Sequence, residues 1–300
     1  MTGSTFSSAD RSRLAERRRE LLREQRLLNV KRFFRSGHAV FGALIVLILV
    51  LAAVFAPLLA PADPLAQTVK NRFAEPGTAG YLLGADKLGR DLLSRVIYGA
   101  RVSMIVGLSS SLISMVFGMI IGLYACCYKA LDNILMRICD GLSAIPSILL
   151  AIALMAMLGQ SLFNVILALS IVYIPRMARI ARSAALVVKE QTYIEALRSQ
   201  GASSFRIIWR HIAPNILSAV VVQASYNFAD AIITEASLSF LGVGVPAPQP
   251  SWGNILAEGR EVITKAWWMI VYPGLATALA VMGTNLFGDG LRDILDPHSN

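Results

Sequence analysis

Apolar residues occur along this sequence in blocks, separated by shorter polar stretches. Six blocks are long enough to cross the roughly 30 Å of a bilayer's hydrocarbon core as helices. They lie at about 39–60, 99–127, 142–159, 162–181, 215–236 and 267–288. Backbone polar groups in lipid must be satisfied within the segment, so each block is predicted to be helical. Gly159-Gln160-Ser161 marks a tight turn between the third and fourth blocks, and Pro175 breaks the fourth. Gly118 and Gly122, four residues apart, suit close helix packing. Trp267 and Trp268 read as anchors at the membrane–water boundary.

The polar intervals differ in character. Residues 61–97 form a long excursion, and a short turn carries Lys129, Asp132, Arg137 and Asp140. Residues 182–213 are basic, and a Pro- and Gly-rich loop surrounds Gly242–Gly253. The apolar run after His38 follows a long polar leader and has no small-residue cleavage pattern before Pro61, so it reads as a retained first span. The fold expected is an all-α membrane protein. It has a leader over 1–37 and a transmembrane domain over 38–297, with six transmembrane helices.

Charge orients this topology. Lys and Arg number 28 against 19 Asp and Glu, a net charge of +9. The basic residues fall mainly in Arg11–Arg35 and Arg176–Arg210, each beside apolar runs. That distribution fixes membrane orientation and argues against nucleic-acid binding. An even number of spans puts both termini on the side of the basic loop, the cytoplasm. The leader's Leu14, Leu21, Leu22, Leu27 and Leu28 suit an amphipathic surface helix, and a partly disordered basic leader fits them as well. The chain is 55% hydrophobic and only 16% charged, where a soluble domain carries about 25% charge.

Metal, disulfide and catalytic chemistry find no pattern here. Cys126, Cys127 and Cys139 lack metal-ligand spacing and read as small apolar fillers. His38, His211 and His298 are scattered, with no hydrolytic triad or metalloprotease motif. No Walker A phosphate loop is present either.

The sharpest local signal is Tyr193-Ile-Glu-Ala-Leu-Arg-Ser-Gln-Gly201-Ala-Ser-Ser-Phe-Arg-Ile-Ile-Trp-Arg-His-Ile-Ala-Pro214. It predicts a helix, a break at Gly201, a second helix capped by Ser203 or Ser204, and a stop at Pro214. Ile194, Leu197 and Ala202 form a small apolar face. Such an element suits docking in a partner's groove, and equally a plain interfacial helix.

This segment resembles the signature of ABC-importer permeases, an EAA segment followed by Gly and then by Pro. The chain departs at Leu197, where the pattern has a second Ala, and at Ala213, where Leu is usual before Pro. Further blocks narrow the resemblance to the dipeptide, oligopeptide and nickel permeases, C-type subunit. They are Gly84–Arg95, Ser239–Gly244, Pro250–Gly253 and Gly288–Pro297, with Arg32-Phe-Phe-Arg35 ahead of the first span. The resemblance covers about residues 30–297.

It implies the type I ABC-importer permease fold, with a coupling loop over 182–214 that docks on an ATPase through Glu195, Ala196, Leu197, Gly201, Ala202, Ser203 and Pro214. The implied partners are a related B-type permease, two ABC ATPase subunits and an extracytoplasmic solute-binding protein, around a multi-pass chain in the bacterial inner membrane. ATP and Mg2+ would sit on the ATPases; this chain would bind no cofactor and catalyse no reaction. Peptides are the expected cargo, with nickel chelates, glutathione or haem-type compounds as alternatives in the same family. An ion-gradient-driven transporter is the competing class, and it gives the 182–214 loop no role.

Asp230 and Glu235 are acids near the outer part of the fifth span. They read first as groups that cap the helix end at the water interface, and alternatively as residues lining the translocation path. Asp86, Arg90 and Asp91 alternate in sign and suit either a salt-bridged turn or docking of the binding protein. Trp252, in the stiff Pro246–Trp252 loop, belongs to a second candidate docking surface.

Overall fold

A computed structural model describes residue 17, residues 31–78 and residues 80–295. The amphipathic reading of the leader falls almost wholly outside the described residues. The long helices are α1 Gly37–Val54, α3 Leu92–Cys127, α6 Leu162–Lys189, α9 Ala213–Phe240 and α11 Trp268–Leu295. Between them lie α2 Ala56–Leu59, α4 Lys129–Ser143, α5 Ser147–Leu158, α7 Thr192–Ser199, α8 Ser204–Ile207 and α10 Trp252–Arg260. Among the described residues, five helices are long and apolar enough to cross a membrane, or six if the bent pair α4–α5 counts as one crossing. The chain is therefore a multi-pass helical membrane protein.

The ends of these helices follow from sequence. Asp91 caps α3 by accepting from the Ser94 amide at 2.7 Å, and Ser161 caps α6 by accepting from the Asn164 amide at 3.0 Å. Helix α3 thus begins seven residues earlier than the apolar run at 99 suggests, because its first two turns are buried by protein rather than by lipid.

The bundle is closed by small residues. A Cβ on Gly122 would lie 2.6 Å from the Ala178 carbonyl oxygen and 2.7 Å from the Ala181 Cβ. Gly118 meets Met177 and Ala178 in the same way, so the Gly118–Gly122 pair allows α3 and α6 to pack in close contact. Gly42 on α1 lies against the backbone of Gly283, Leu286 and Phe287 on α11, a contact the sequence did not announce. Helix α9 runs between these pairs and packs against α3, α6, α10 and α11.

Five local expectations are corrected. The turn expected after the second block is the 15-residue helix α4, and the third apolar block yields only the 12-residue α5. At 1.5 Å per residue α5 is about 18 Å long, too short to cross alone. The two meet at 93°, at a break where Pro146 has left helical backbone with ψ 133° and lacks an amide hydrogen to continue α4. Pro175 does not break the fourth span; α6 continues through it to Lys189. Pro214 does not stop a helix: a π-helical turn, Ile208–Ile212, leads directly into α9, where Pro214 occupies the first turn and needs no amide hydrogen. Trp268 is buried and its indole donates to the Ala85 carbonyl at 3.1 Å, so of the two tryptophans only Trp267 is exposed.

Candidate functional site

The basic end of the bundle carries the segment expected to dock on a partner. Helix α7 is held by Ile194, which is fully buried among Ala185, Ile207, Ile208 and Ile212. Leu197 and Ala202 pack against the same cluster. The small apolar face predicted from sequence thus faces this chain's own bundle, and the outward face is mainly polar. Glu195, Ala196, Arg198, Gly201 and Ser203 are exposed, together with the ring of Phe205.

The turn between α7 and α8 is tightly specified. Gly201 has φ +78°. Its amide donates to the Arg198 carbonyl at 2.9 Å, and the Ala202 amide donates to the Leu197 carbonyl at 3.0 Å. This is the Schellman pattern, which wants glycine at that position. Ser203 then caps α8 by accepting from the Arg206 amide at 3.4 Å. The segment is tied to α9 as well: the Asn215 side-chain amide donates to the His211 carbonyl at 2.6 Å and to the Tyr193 hydroxyl at 3.3 Å. These contacts join α7 to α6 and α9. Of the residues singled out for this site, Pro214 stands apart, as part of α9 rather than of the outward turn.

Along α6, Arg176, Arg179 and Arg182 recur at every third residue, and each has a polar partner on another element. Arg176 pairs with Asp230 on α9 at 2.9 Å. Arg179 donates to the Ser143 hydroxyl at the end of α4. Arg182 grips both oxygens of Asp132 on α4 at 2.6 Å each. Beside Asp230, Thr234 donates to the Asp230 backbone carbonyl at 2.8 Å, which leaves the Tyr173 hydroxyl to donate to Thr234 at 2.9 Å. A cavity of about 560 Å³ opens here, lined by Ser143, Ser147, Tyr173, Arg176, Arg179 and Asp230 among others. The sequence reading picked out Asp230 but took the arginines only as orienting charge; their three-residue spacing inside an apolar run was the available signal.

Residues 114–300 match a family described as "Binding-protein-dependent transport system inner membrane component". The chain belongs to this family. Residues 28–76 match the N-terminal TM domain of oligopeptide transport permease C. A di/tripeptide transport system permease protein, DppC, from Pseudomonas aeruginosa is 42% identical over 271 residues, covering 88% of this chain and 89% of the relative. A glutathione transport system permease protein, GsiD, from Pectobacterium atrosepticum is 44% identical over 268 residues, covering 89% of each. A solved structure of the MetNI methionine ABC transporter in an inward-facing conformation aligns with a TM-score of 0.57 at 20% identity, over 67% of this chain and 96% of that one. The shared fold is that of an ABC-transporter permease.

As a member of this family, the chain is the permease subunit of an ABC importer, and its opposite end bears on the remaining expectations. Asp86, Arg90, Asp91 and Trp252, offered as docking residues, are all buried. Arg90 and Arg95 both bridge Asp86 and Glu258, at 2.5–2.7 Å, and Asp91 caps α3. The Trp252 indole donates to the Val96 carbonyl at 3.0 Å. These side chains are consumed inside the protein and present nothing to a partner in this conformation. The outer surface they support is formed instead by Lys87 and Glu261, paired at 3.0 Å, and by the rim of a cavity of about 620 Å³ between Pro57–Leu65 and Gln249–Pro250. The Lys87 ammonium holds the Glu261 carboxyl below the usual carboxylate range.

Glu235 is also corrected. It is 0% exposed and caps no helix end at a water interface. Ser103 on α3 donates to it at 3.1 Å and Ser239 on α9 at 2.8 Å, and the Ser251 hydroxyl ahead of α10 reaches it too. It joins three elements from within. Among the described residues, no group of His, Cys, Asp and Glu is placed to hold a metal ion, and all three cysteines are free.

Proposed function

We propose that this permease imports peptides, driven by ATP hydrolysis on two separate ABC ATPase subunits and supplied by an extracytoplasmic solute-binding protein. The observation that carries the reading is the exposed α7–Gly201–α8 turn. Ile194, Leu197 and Ala202 anchor it to the bundle, which leaves a projection of polar residues around the exposed Phe205 ring that needs a partner to have a purpose. Glu195, Ala196, Gly201 and Ser203 make the contact, while Leu197 and Ala202 seat the projection. ATP and Mg2+ stay with the ATPases.

The relatives named for di/tripeptide and glutathione transport support a peptide cargo, glutathione being itself a tripeptide. The basic end carries the projection and faces the cytoplasm, with both termini on that side of a bacterial inner membrane. A related B-type permease completes the pathway, to which Asp230 contributes. The solute-binding protein docks on the opposite end, over Lys87, Glu261 and the Pro57–Leu65 rim. Closure of the ATPases moves the docked projections, and the bundle rocks between inward and outward openings.

The test is to place a cysteine at Ala196 in the purified importer and oxidise it against single cysteines on the ATPase surface. Crosslinks that change in yield between ATP-bound and nucleotide-free states are expected. Their absence at every ATPase position would contradict docking through this segment.

A further inference from the structure

Arg176 sits near the middle of α6, a 28-residue helix, about 20 Å from either end at 1.5 Å per residue. Its partner Asp230 lies ten residues before the end of α9, about 15 Å from it. Although both lie within long apolar helices, the two side chains are 57% and 43% exposed. An ion pair open to hydrocarbon is costly, and ionisable groups within spans face water or protein instead. The open side of this cavity is therefore aqueous or covered by protein, and not a lipid surface.

The cavity has two electrostatic poles. Arg176 and Arg179 line it on α6, and α5 begins at Ser147 on its wall, bringing the unpaired first-turn amides behind Pro146. Asp230 supplies the single acidic group among its lining residues. Its volume of about 560 Å³ falls within the range of small-molecule sites, about 300–1,000 Å³.

We infer that this cavity is a transit site for a zwitterion, in which Asp230 receives the ammonium terminus of a peptide and Arg176 with Arg179 its carboxylate terminus. The inference rests on the reading of the chain as a peptide importer and adds to it the groups that handle the cargo. When empty, Arg176 and Asp230 satisfy each other, so Asp230 is not left without a counter-charge within the bundle. A zwitterion exchanges one ion pair for two and leaves net charge unchanged. The gain over the resting pair is small, so binding is weak, as a site on a conduction path requires.

The test uses the complete importer in proteoliposomes, with Ile145, an exposed residue of the cavity wall, replaced by cysteine and the three native cysteines by alanine. The rate of modification by a water-soluble methanethiosulfonate is measured with Ala-Ala and with N-acetyl-Ala-Ala-amide. Modification is expected from the aqueous phase, slowed several-fold by Ala-Ala and not by the doubly blocked peptide. Asp230→Asn and Arg176→Gln should abolish the slowing, while Asp230→Glu and Arg176→Lys, which keep the charges, should retain it. Failure of modification, as when the partner permease or lipid fills the cavity, overturns the inference. So does equal slowing by free and blocked peptides. Binding-protein-dependent uptake of labelled peptide by the same vesicles separates the two levels. Uptake without terminus-selective slowing removes only this site; absence of uptake for every peptide removes the peptide reading itself.

Discussion

Arg95 and Glu258 meet through paired hydrogen bonds of 2.7 and 3.0 Å, across 163 positions of sequence. The contact fastens the N-terminal end of α3 to α10, and Arg90 and Asp86 complete a four-charge cluster around it. The Arg95 side chain is only 1% exposed. Removing one partner of such a pair strands a buried charge, which costs about 3–5 kcal/mol. Glu258→Ala should therefore lower the thermal midpoint of the detergent-solubilised importer by many degrees. Lys87→Ala, which breaks only a surface pair, should leave it where it was.

The α3–α6 contact gives a second contrast. A Cβ at Gly122 meets backbone at 2.6 Å, which cannot yield without moving a helix. A Cβ at Gly141 on α4 meets nothing within 4 Å. Gly122→Ala should reduce the yield of folded protein sharply. Gly141→Ala should be neutral or stabilise by about 0.4–1 kcal/mol through the unfolded chain. Monodispersity on size exclusion and thermal unfolding report both.

Glu235 collects hydroxyls from three elements, so its shape and polarity matter more than its charge. Glu235→Gln keeps an acceptor and should fold, with peptide uptake close to that of the parent. Glu235→Leu strands buried hydroxyls at about 1–3 kcal/mol each and should destabilise the protein strongly. A Gln variant that is fully stable yet loses all uptake would instead assign the carboxylate to the transport path.

Much of the architecture was written in the hydropathy, because crossing a membrane demands long apolar helices and charge orients them. Gly201 was legible for a similar reason: few residues accept its backbone conformation. What sequence left unread depended on three-dimensional company. Pro214 looked like a stop, but the π-turn before it places it in a first turn, where proline is tolerated. Asp86, Arg90 and Asp91 carry the same letters whether they face a partner or one another, and only the fold of residues 61–91 against α10 decides it. Lys129–Ser143 is polar enough to pass for a turn because its apolar stripe covers one side alone. Arg176 was indistinguishable from orienting charge until α9 brought Asp230 beside it.

On the function proposed above, the α7–Gly201–α8 projection couples a separate ATPase to transport. Gly201 isolates it well, since its φ of +78° demands glycine-like backbone while its surroundings are empty. Gly201→Val strains the turn by about 1–2 kcal/mol without touching the bundle, whereas Gly201→Asn accepts the left-handed conformation. The decisive measurement is peptide uptake per ATP hydrolysed in proteoliposomes holding the whole importer. The ratio is expected to fall several-fold for Gly201→Val, with the protein still folded and inserted, and to stay near parental for Gly201→Asn. An unchanged ratio in Gly201→Val, at normal expression and stability, would contradict that coupling.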